Sequence, residues 1–421
     1  MTSILRRPAV LSGVAVMNLR VLTLGSRFFL SLILARLLPA AELGSYGLLT
    51  AVLAFALFIV GLEFYSYTLR RLATVGARRK VFIIADQLVL AGVMLSLAAV
   101  MAVLAASLGL LPWDVVPWLL IILVTEHISV EGTRILIILS RPVRAYLGLF
   151  LRGGLWVAVV FFIMVTDPSA RRLETVLVWW ALGGVACAVL TAWSLQHLPW
   201  RVLRIYRPDW NAIWGGLRVA RPFMITAFSA LTLSYFDRFL IEAYLGRETL
   251  GVYTFYSMLV IGILSFGTSI SHQFLPKVIA SYKTDAVAFR RVIRVYALSL
   301  GAVGGGVVLI AAVAIWPALV LLELRQFSSG LPAFYIMLMA ALIRIMADIP
   351  SYALYAAHRD KVLLWCNLAA AAVAVIVNTL LVKPFGLVGA ACASLLASSV
   401  LLLALGYFAW SARRPDTPAT R

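Results

Sequence analysis

The chain alternates long apolar runs with short polar breaks. The apolar runs recur at approximately 10–35, 43–65, 81–110, 113–139, 144–166, 173–197, 213–241, 250–275, 290–316, 332–356, 361–382 and 386–410. A hydrocarbon core of about 30 Å needs roughly 20 apolar residues in a helix. Backbone groups in lipid must be satisfied within their own segment, so each run predicts a transmembrane helix. The expected fold class is an all-α polytopic membrane protein with about twelve transmembrane helices.

A second pattern lies over the first. The stretch "ARLLPAAELGSYGLL" at 35–49 is echoed by "AYLGRETLGVYTFY" at 243–256. Without a gap, Leu38 meets Leu245, Leu43 meets Leu250, Gly44 meets Gly251 and Tyr46 meets Tyr253, at a constant offset of 207 (251 − 44). Each copy covers the exit from an odd-numbered span, a short outer turn and the return into the next span. A weaker correspondence relates Glu131 to Asp348, Arg141 to His358 and Arg144 to Lys361, at an offset of 217 (348 − 131). Six spans separate the copies, so both halves enter the membrane with the same polarity. This is a parallel pseudo-twofold repeat about the membrane normal. The expected organisation is an N-lobe of six helices at 1–200, a cytoplasmic linker at 201–212, a C-lobe of six helices at 213–410 and a disordered cytoplasmic tail at 411–421.

Composition agrees: 63% of residues are hydrophobic and 13% charged, where a soluble domain sits nearer one half and one quarter. The formal net charge of +19 would suit nucleic acid if the basic residues shared one surface, but they fall between the apolar runs, so no nucleic-acid partner is expected. Their distribution sets orientation instead. Clusters such as Arg70, Arg71, Arg78, Arg79 and Lys80, or Lys277, Lys283, Arg290, Arg291 and Arg294, place about 22 basic residues on one side against about 6 on the other. Both termini are therefore expected in the cytoplasm. Trp113, Trp118, Trp200, Trp210 and Trp214 lie near span ends, where indoles favour the headgroup zone. The first run follows Arg6 and Arg7 but is too long for a signal sequence, and it reads as an uncleaved helix. Cys187, Cys366 and Cys392 sit in apolar runs without any Cys/His clustering, so no disulfide frame or metal site is expected.

"LARLLPAAELGSYGLLTAV" resembles the first outer turn of the polysaccharide and O-antigen flippases, a branch of the multidrug/oligosaccharidyl-lipid/polysaccharide exporter superfamily. "RVARPFMITAFSALTLSYFDRFLIEAYLGRETLGVYTFYSML" resembles that family's seventh helix, with Pro222 near its start and Asp237–Arg238 before the outer turn. The likeness covers nearly the whole chain by topology and these two regions by local pattern. It implies a V-shaped, twelve-helix, alternating-access transporter for lipid-linked sugars.

Charge inside a span costs about 2.5–3.5 kcal/mol on insertion scales, so each instance calls for a reason. Arg20 and Arg27 are two helical turns apart and share a face with Ser31, on a span that resembles the family's cavity-lining first helix. Glu126, His127, Glu131 and Arg134 fall within an arc of about 140° on the fourth span, and Glu131 can pair with Arg134. Arg152 on the fifth span either faces the same cavity or reaches to the interface. Arg344 and Asp348, four apart on the tenth span, are expected to pair. Asp237 and Arg238 read as anchors at the outer interface. Substrate binding is assigned to Arg20, Arg27, Arg134, Arg152 and Arg344. Glu126, Glu131 and Asp348 are candidates for proton or ion coupling. "GAVGGG" at 301–306 lies inside an apolar helix and fails the nucleotide fingerprint; its Gly301 and Gly305 suit close helix packing.

The function expected is a flippase, not an enzyme. It moves undecaprenyl-pyrophosphate-linked oligosaccharide from the cytoplasmic to the outer leaflet of the bacterial inner membrane for cell-surface or exopolysaccharide synthesis. It needs no cofactor; H+ or Na+ coupling and association with a glycan polymerase and glycosyltransferases stay open. Two alternatives stand beside it. A drug/cation antiporter of the same superfamily would want a carboxylate-dominated cavity. A membrane glycan polymerase or ligase would carry a long outer loop, whereas the longest outer connection here is about 16 residues.

Overall fold

A computed structural model describes residues 6–109 and 113–411, with side chains from residue 13 onward. The tail beyond Ser411 and the loop position Leu111 lie outside these residues. Ten helices among them are long and apolar enough to cross a membrane. Two of the ten are too long for one crossing. The 73-residue helix Trp210–Tyr282 breaks at Gly246 (φ 82°, ψ 171°), and the 52-residue helix Asp360–Ser411 breaks at Gly386 (φ 58°, ψ −136°). Both glycines take positive φ, which residues with a Cβ resist. Each break yields two spans, so the ten helices supply twelve. The chain is a multi-pass membrane protein, and an even number of crossings returns it to the face it left.

The spans are α1 (Arg6–Leu37), α2 (Ala40–Gly61), α3 (Ala77–Ser107), α4 (Val115–Ile138), α5 (Pro142–Thr166), α6 (Leu173–Leu195), α7 (210–245), α8 (247–282), α9 (Ala286–Leu321), α10 (Leu331–Ala356), α11 (360–385) and α12 (387–411). A short amphipathic helix, Tyr65–Leu72, follows α2. It buries Thr68 and Leu72 and carries Arg70 and Arg71 in its last turn. Asp285 starts α9 by accepting from the amides of Val287 (2.6 Å) and Ala288 (2.7 Å), a common way to satisfy the free amides of a first turn.

The chain forms two compact units. One comprises the residues up to Ile33 together with Leu49–Ala227; the other comprises Leu34–Leu48 and the chain from Phe228 onward. The turn between α1 and α2 thus belongs to the second unit.

In the first unit, two apolar clusters lie at different heights along the same helices. One gathers Leu49, Leu53, Val116, Leu119, Ile122, Leu177 and Ala181. The other gathers Leu72, Val81, Ile84, Ile135, Leu136, Ala145 and Leu195. Between them the sequence of α4 supplies Thr125, Glu126, His127, Ser129, Glu131 and Thr133, all buried. The core of this unit is therefore split by a polar layer.

In the second unit, Ala347, Leu354, Cys366, Ala370, Leu401 and Leu405 from α10, α11 and α12 form one core cluster. An aromatic group forms another, with Phe255–Phe327 and Tyr256–Phe334 ring centroids each 4.9 Å apart. Tyr256 Oη donates to the Phe327 carbonyl at 2.7 Å. Cys187 and Cys366 are buried free thiols and Cys392 is half-buried.

The turns after α4 and α10 share one backbone pattern. Ser140 (φ 59°) and His358 (φ 54°) both take the left-handed conformation. Arg141 N donates to Leu136 O at 2.8 Å, and Arg359 N donates to Leu354 O at 3.0 Å. Both are helix ends closed by a left-handed residue and a six-to-one hydrogen bond. They relate Ser140 to His358 and Arg141 to Arg359, an offset of 218 (358 − 140). The register expected from side-chain likeness, 217, is one residue short, because backbone geometry and not charge type is what the two turns share.

Candidate functional site

The polar layer of the first unit holds two carboxylates, each with its own arginine. Arg134 Nη1 donates to Glu131 Oε1 at 2.5 Å. Gln87 Nε2, from α3, donates to Glu131 Oε2 at 2.6 Å. The Arg134 guanidinium also covers the Tyr65 ring at 3.5 Å from its centroid. The expected Glu131–Arg134 pair therefore forms, with two partners its spacing did not reveal.

The second carboxylate is Glu126. Trp180 Nε1, from α6, donates to its Oε1 at 2.8 Å. Arg152 Nη1 lies 3.1 Å from its Oε2. That contact is ionic but not aligned as a hydrogen bond, and Arg152 Nε has no hydrogen-bond partner among the described residues. Arg152 is 9% exposed, so of the two places open to it from sequence it takes the interior.

A π-turn at Leu151–Leu155 sets Arg152 in that position. The extra residue in the turn rotates one half of α5 against the other. Trp156 closes it by donating Nε1 to the Arg152 carbonyl at 2.7 Å, and it stacks on Trp180 at 6.5 Å between ring centroids. Gly153 and Gly154 make the turn a seat for α1. An added Cβ on Gly153 would meet Arg27 Nε and Nη2 at 3.3 Å, and one on Gly154 would meet Ser26 Oγ at 3.4 Å. The Arg27 guanidinium therefore lies against the residue next to Arg152.

Arg20 and Arg27 are both exposed along α1, whereas Ser31, on the same face, is 1% exposed and donates to the Phe28 carbonyl at 2.6 Å. The stripe is thus exposed at its arginines and buried at its serine. His127, 6% exposed, is part of the buried layer. The polar layer brings together Glu126, Glu131, Arg134 and Arg152, with Arg27 at its α5 edge.

No family sequence model and no curated protein sequence matches the chain. Solved structures do. An inward-facing multidrug resistance MATE family transporter of the MOP superfamily superposes with a TM-score of 0.73 at 15% identity, covering 93% of this chain and 96% of that one. The lipid II flippase MurJ, in an inward closed conformation, superposes with a TM-score of 0.72 at 12% identity, covering 95% and 87%. A MOP superfamily transporter from Pyrococcus furiosus, described as having a binding pocket of reverse polarity, gives 0.62 at 15% identity over 96% and 94%. The chain has the fold of the MOP-superfamily transporters.

Within this MOP fold the second unit handles its charges differently. Arg344 Nη2 donates to Ser234 Oγ at 3.1 Å. Among the described residues Arg344 forms no direct ion pair with Asp348, which faces Ser271 and His272 as well as Arg344. The two groups of the expected i,i+4 pair still face each other, but the hydrogen bond of Arg344 goes to a neighbouring helix.

Asp237 and Arg238 are not interfacial anchors. They are 7% and 2% exposed. Arg238 Nη1 donates to the Gly47 carbonyl at 3.0 Å and Nη2 to Ser257 Oγ at 3.2 Å. Asp237 accepts from Arg238 N at 2.9 Å and from the Tyr253 hydroxyl. A hydropathy reading puts these residues near a span end, hence the interfacial expectation. Burial there comes from the start of α2 and from α8 packing against them through Gly47, Tyr253 and Ser257, which is a non-local event. Gln87, Tyr65 and Trp180 were missed for a related reason. Each is unremarkable in its own run and gains a role only by facing a charge on α4.

Proposed function

We propose that this protein is a flippase that carries undecaprenyl-pyrophosphate-linked oligosaccharide across the bacterial inner membrane, from the cytoplasmic to the outer leaflet, by alternating access. The observation that carries this reading is the charge arrangement of the first unit. The two carboxylates of its polar layer, Glu126 and Glu131, are held by arginines, while Arg20 and Arg27 are exposed along α1. A site with its carboxylates so engaged favours an anion over an organic cation, which speaks against a drug/cation antiporter. Arginine suits a pyrophosphate because its planar fork gives bidentate, charge-assisted hydrogen bonds. Sugar and pyrophosphate cannot cross hydrocarbon, whereas the polyprenyl tail can remain in it.

Direction follows from the membrane potential. Moving one negative charge outward across an inside-negative membrane gains about 2.3 kcal/mol per 100 mV. Both termini lie in the cytoplasm in this reading. Arg134, Arg152 and Arg344 complete the substrate path, and Glu126, Glu131 and Asp348 are the groups through which H+ or Na+ would couple. A glycan polymerase and glycosyltransferases are the partners such a flippase would serve.

The test is export of lipid-linked oligosaccharide per folded molecule in Arg20→Ala, Arg27→Ala and the matching Lys variants. Export per molecule should fall about tenfold or more in the Ala variants, with partial rescue by Lys, which keeps charge but loses the fork. An unchanged ratio in both Ala variants would remove these arginines from the site. Uptake of an organic cation, abolished by Glu126→Gln or Glu131→Gln, would install the antiporter reading instead.

A further inference from the structure

The segment between α6 and α7, with the first turns of α7, has a surface that neither helix packing nor the polar layer uses. Four large apolar side chains stand out from it: Ile205 is 78% exposed, Trp214 62%, Trp210 50% and Leu203 39%. Arg201, Arg204, Arg207, Arg218 and Arg221 are exposed among them. The one acidic residue between 200 and 221 is Asp209, whose Oδ1 accepts from Ala212 N at 2.9 Å to cap α7. On α7 itself, Trp210, Trp214, Arg218 and Arg221 fall within an arc of about 80°, turned away from the buried Ile213, Gly216 and Ala220.

This surface is held at a fixed place on the first unit. Trp200 Nε1 donates to the Leu195 carbonyl at 2.9 Å at the end of α6. Tyr206 Oη donates to Asp86 Oδ1 at 2.6 Å, and Asp209 N donates to the same oxygen at 3.2 Å. The Tyr206 ring lies against Phe82, 5.8 Å between centroids. Asp86 on α3 therefore clasps the segment at two points and leaves its apolar and basic side chains outward.

Chain geometry puts that outward surface at a bilayer boundary, since a transmembrane helix lies on either side of it. Its backbone is a 3-10 turn, Trp200–Ile205, followed by residues 206–209 without regular structure, and such a backbone cannot sink into hydrocarbon with its polar groups unpaired. Indoles and aliphatic tips prefer the headgroup–acyl boundary, and arginines beside them meet lipid phosphates. Neutral headgroups would satisfy the apolar tips but give five arginines no net counter-charge. We propose that residues 200–221 form a membrane-surface strap, clasped by Asp86, that docks on acidic phospholipid headgroups of the leaflet it faces. This is independent of what the protein transports.

The experiment uses the full-length protein in nanodiscs of phosphatidylcholine with or without phosphatidylglycerol. A spin label is placed at Ile205→Cys in a Cys392→Ser background, the other two thiols being buried. With phosphatidylglycerol present, the label should collide more with lipid-soluble oxygen than with a water-soluble nickel chelate. Phosphatidylglycerol should also be enriched in the tightly associated lipid. Arg201→Gln/Arg204→Gln/Arg207→Gln should lower that enrichment about fivefold or more, the factor one arginine near an anionic surface supplies, and the triple Lys variant should keep it. Where the Gln variant is not monodisperse, about 1 M salt added to the wild type should erase the enrichment, since exposed charges are screened at that strength. A water-exposed label in both nanodiscs would overturn the strap. A membrane-facing label indifferent to phosphatidylglycerol would overturn its acidic-lipid specificity. Pyrophosphate replacing phosphatidylglycerol in a neutral bilayer would reassign these arginines to a soluble or substrate phosphate.

Discussion

Gly44 and Gly251 cross each other's helix in a mutually symmetric way. A Cβ on Gly44 would collide with the Arg247 carbonyl, and a Cβ on Gly251 with the Ala40 carbonyl. Ala40 and Arg247 are themselves separated by 207 (247 − 40), as the two glycines are. The start of α2 and the start of α8 therefore meet as local two-fold equivalents inside the second unit. The echo between 35–49 and 243–256 is a pair of surfaces that touch each other. Close backbone approach through small residues is a recurrent basis of helix association in membranes.

Gly251→Ala should disrupt this crossing, since its Cβ would meet backbone that cannot swing aside. Overpacking in a well-packed core costs about 1–3 kcal/mol, and a backbone collision belongs at or above the upper end. Thermal unfolding of detergent-solubilised protein, followed by monodispersity on size exclusion, measures it. Gly262→Ala is the control, because a Cβ there meets nothing within 4 Å. Equal stability of the two variants would refute the close crossing.

Gly47 and Thr254 are also related by 207 (254 − 47), and a Cβ on Gly47 would collide with the Thr254 side chain. Two equivalents meeting in this way leave room for one side chain, and the chain supplies one glycine and one threonine. Gly47→Ala alone should be destabilising by about 1–3 kcal/mol. Adding Thr254→Gly should recover most of the loss. A double variant no more stable than Gly47→Ala would mean that the two positions do not share the space.

Glu126 and Arg152 form a buried ion pair, with side chains each 10% exposed. Removing one partner leaves the other charge uncompensated, at about 3–5 kcal/mol. Glu126→Ala and Arg152→Ala should each be strongly destabilising. Glu126→Leu with Arg152→Met should be less so than either single change, because it removes both charges and keeps volume. A double-mutant cycle on thermal stability decides this, and strict additivity would sink the pairing.

Burial raises the Tyr206 phenol above its ordinary value, and the Asp86 carboxylate that accepts its hydrogen bond raises it further. A raised acid is stabilised in its protonated form, so the bond's contribution is complete below the unfolded phenol's pKa of about 10. It is lost as pH climbs through the higher folded value. The stability difference between wild type and Tyr206→Phe, about 1 kcal/mol for this partly solvated bond, should stay flat from about pH 6 to 9 and shrink above about 10. A difference that already falls between pH 6 and 8 would show that the phenol is not the titrating group.

The spans were legible because the criterion is local. About 20 apolar residues cross a bilayer wherever they stand in a chain, and all twelve expected runs overlap the helices observed. The Glu131–Arg134 pair was legible too, since residues three apart on one helix share a face. The Arg344–Asp348 pair satisfied a comparable rule, yet the hydrogen bond of Arg344 goes to Ser234 on another helix. Spacing says which groups can meet, and neighbouring helices say which do.

By itself the sequence determined the all-helical class, the number of crossings, and the 207-residue echo, because each depends on composition or pattern within one stretch of chain. Tertiary structure decided which charges are buried and what they face. The π-turn at Leu151–Leu155 rotates α5 partway along, so no single helical wheel can aim Arg152 at Glu126. The start of α2 belongs with the α1–α2 turn to the second compact unit, and its Gly47 carbonyl holds an arginine 191 positions away. Burial and ion pairing are properties of surfaces that come together, and hydropathy along one segment carries no information about the segment that will cover it.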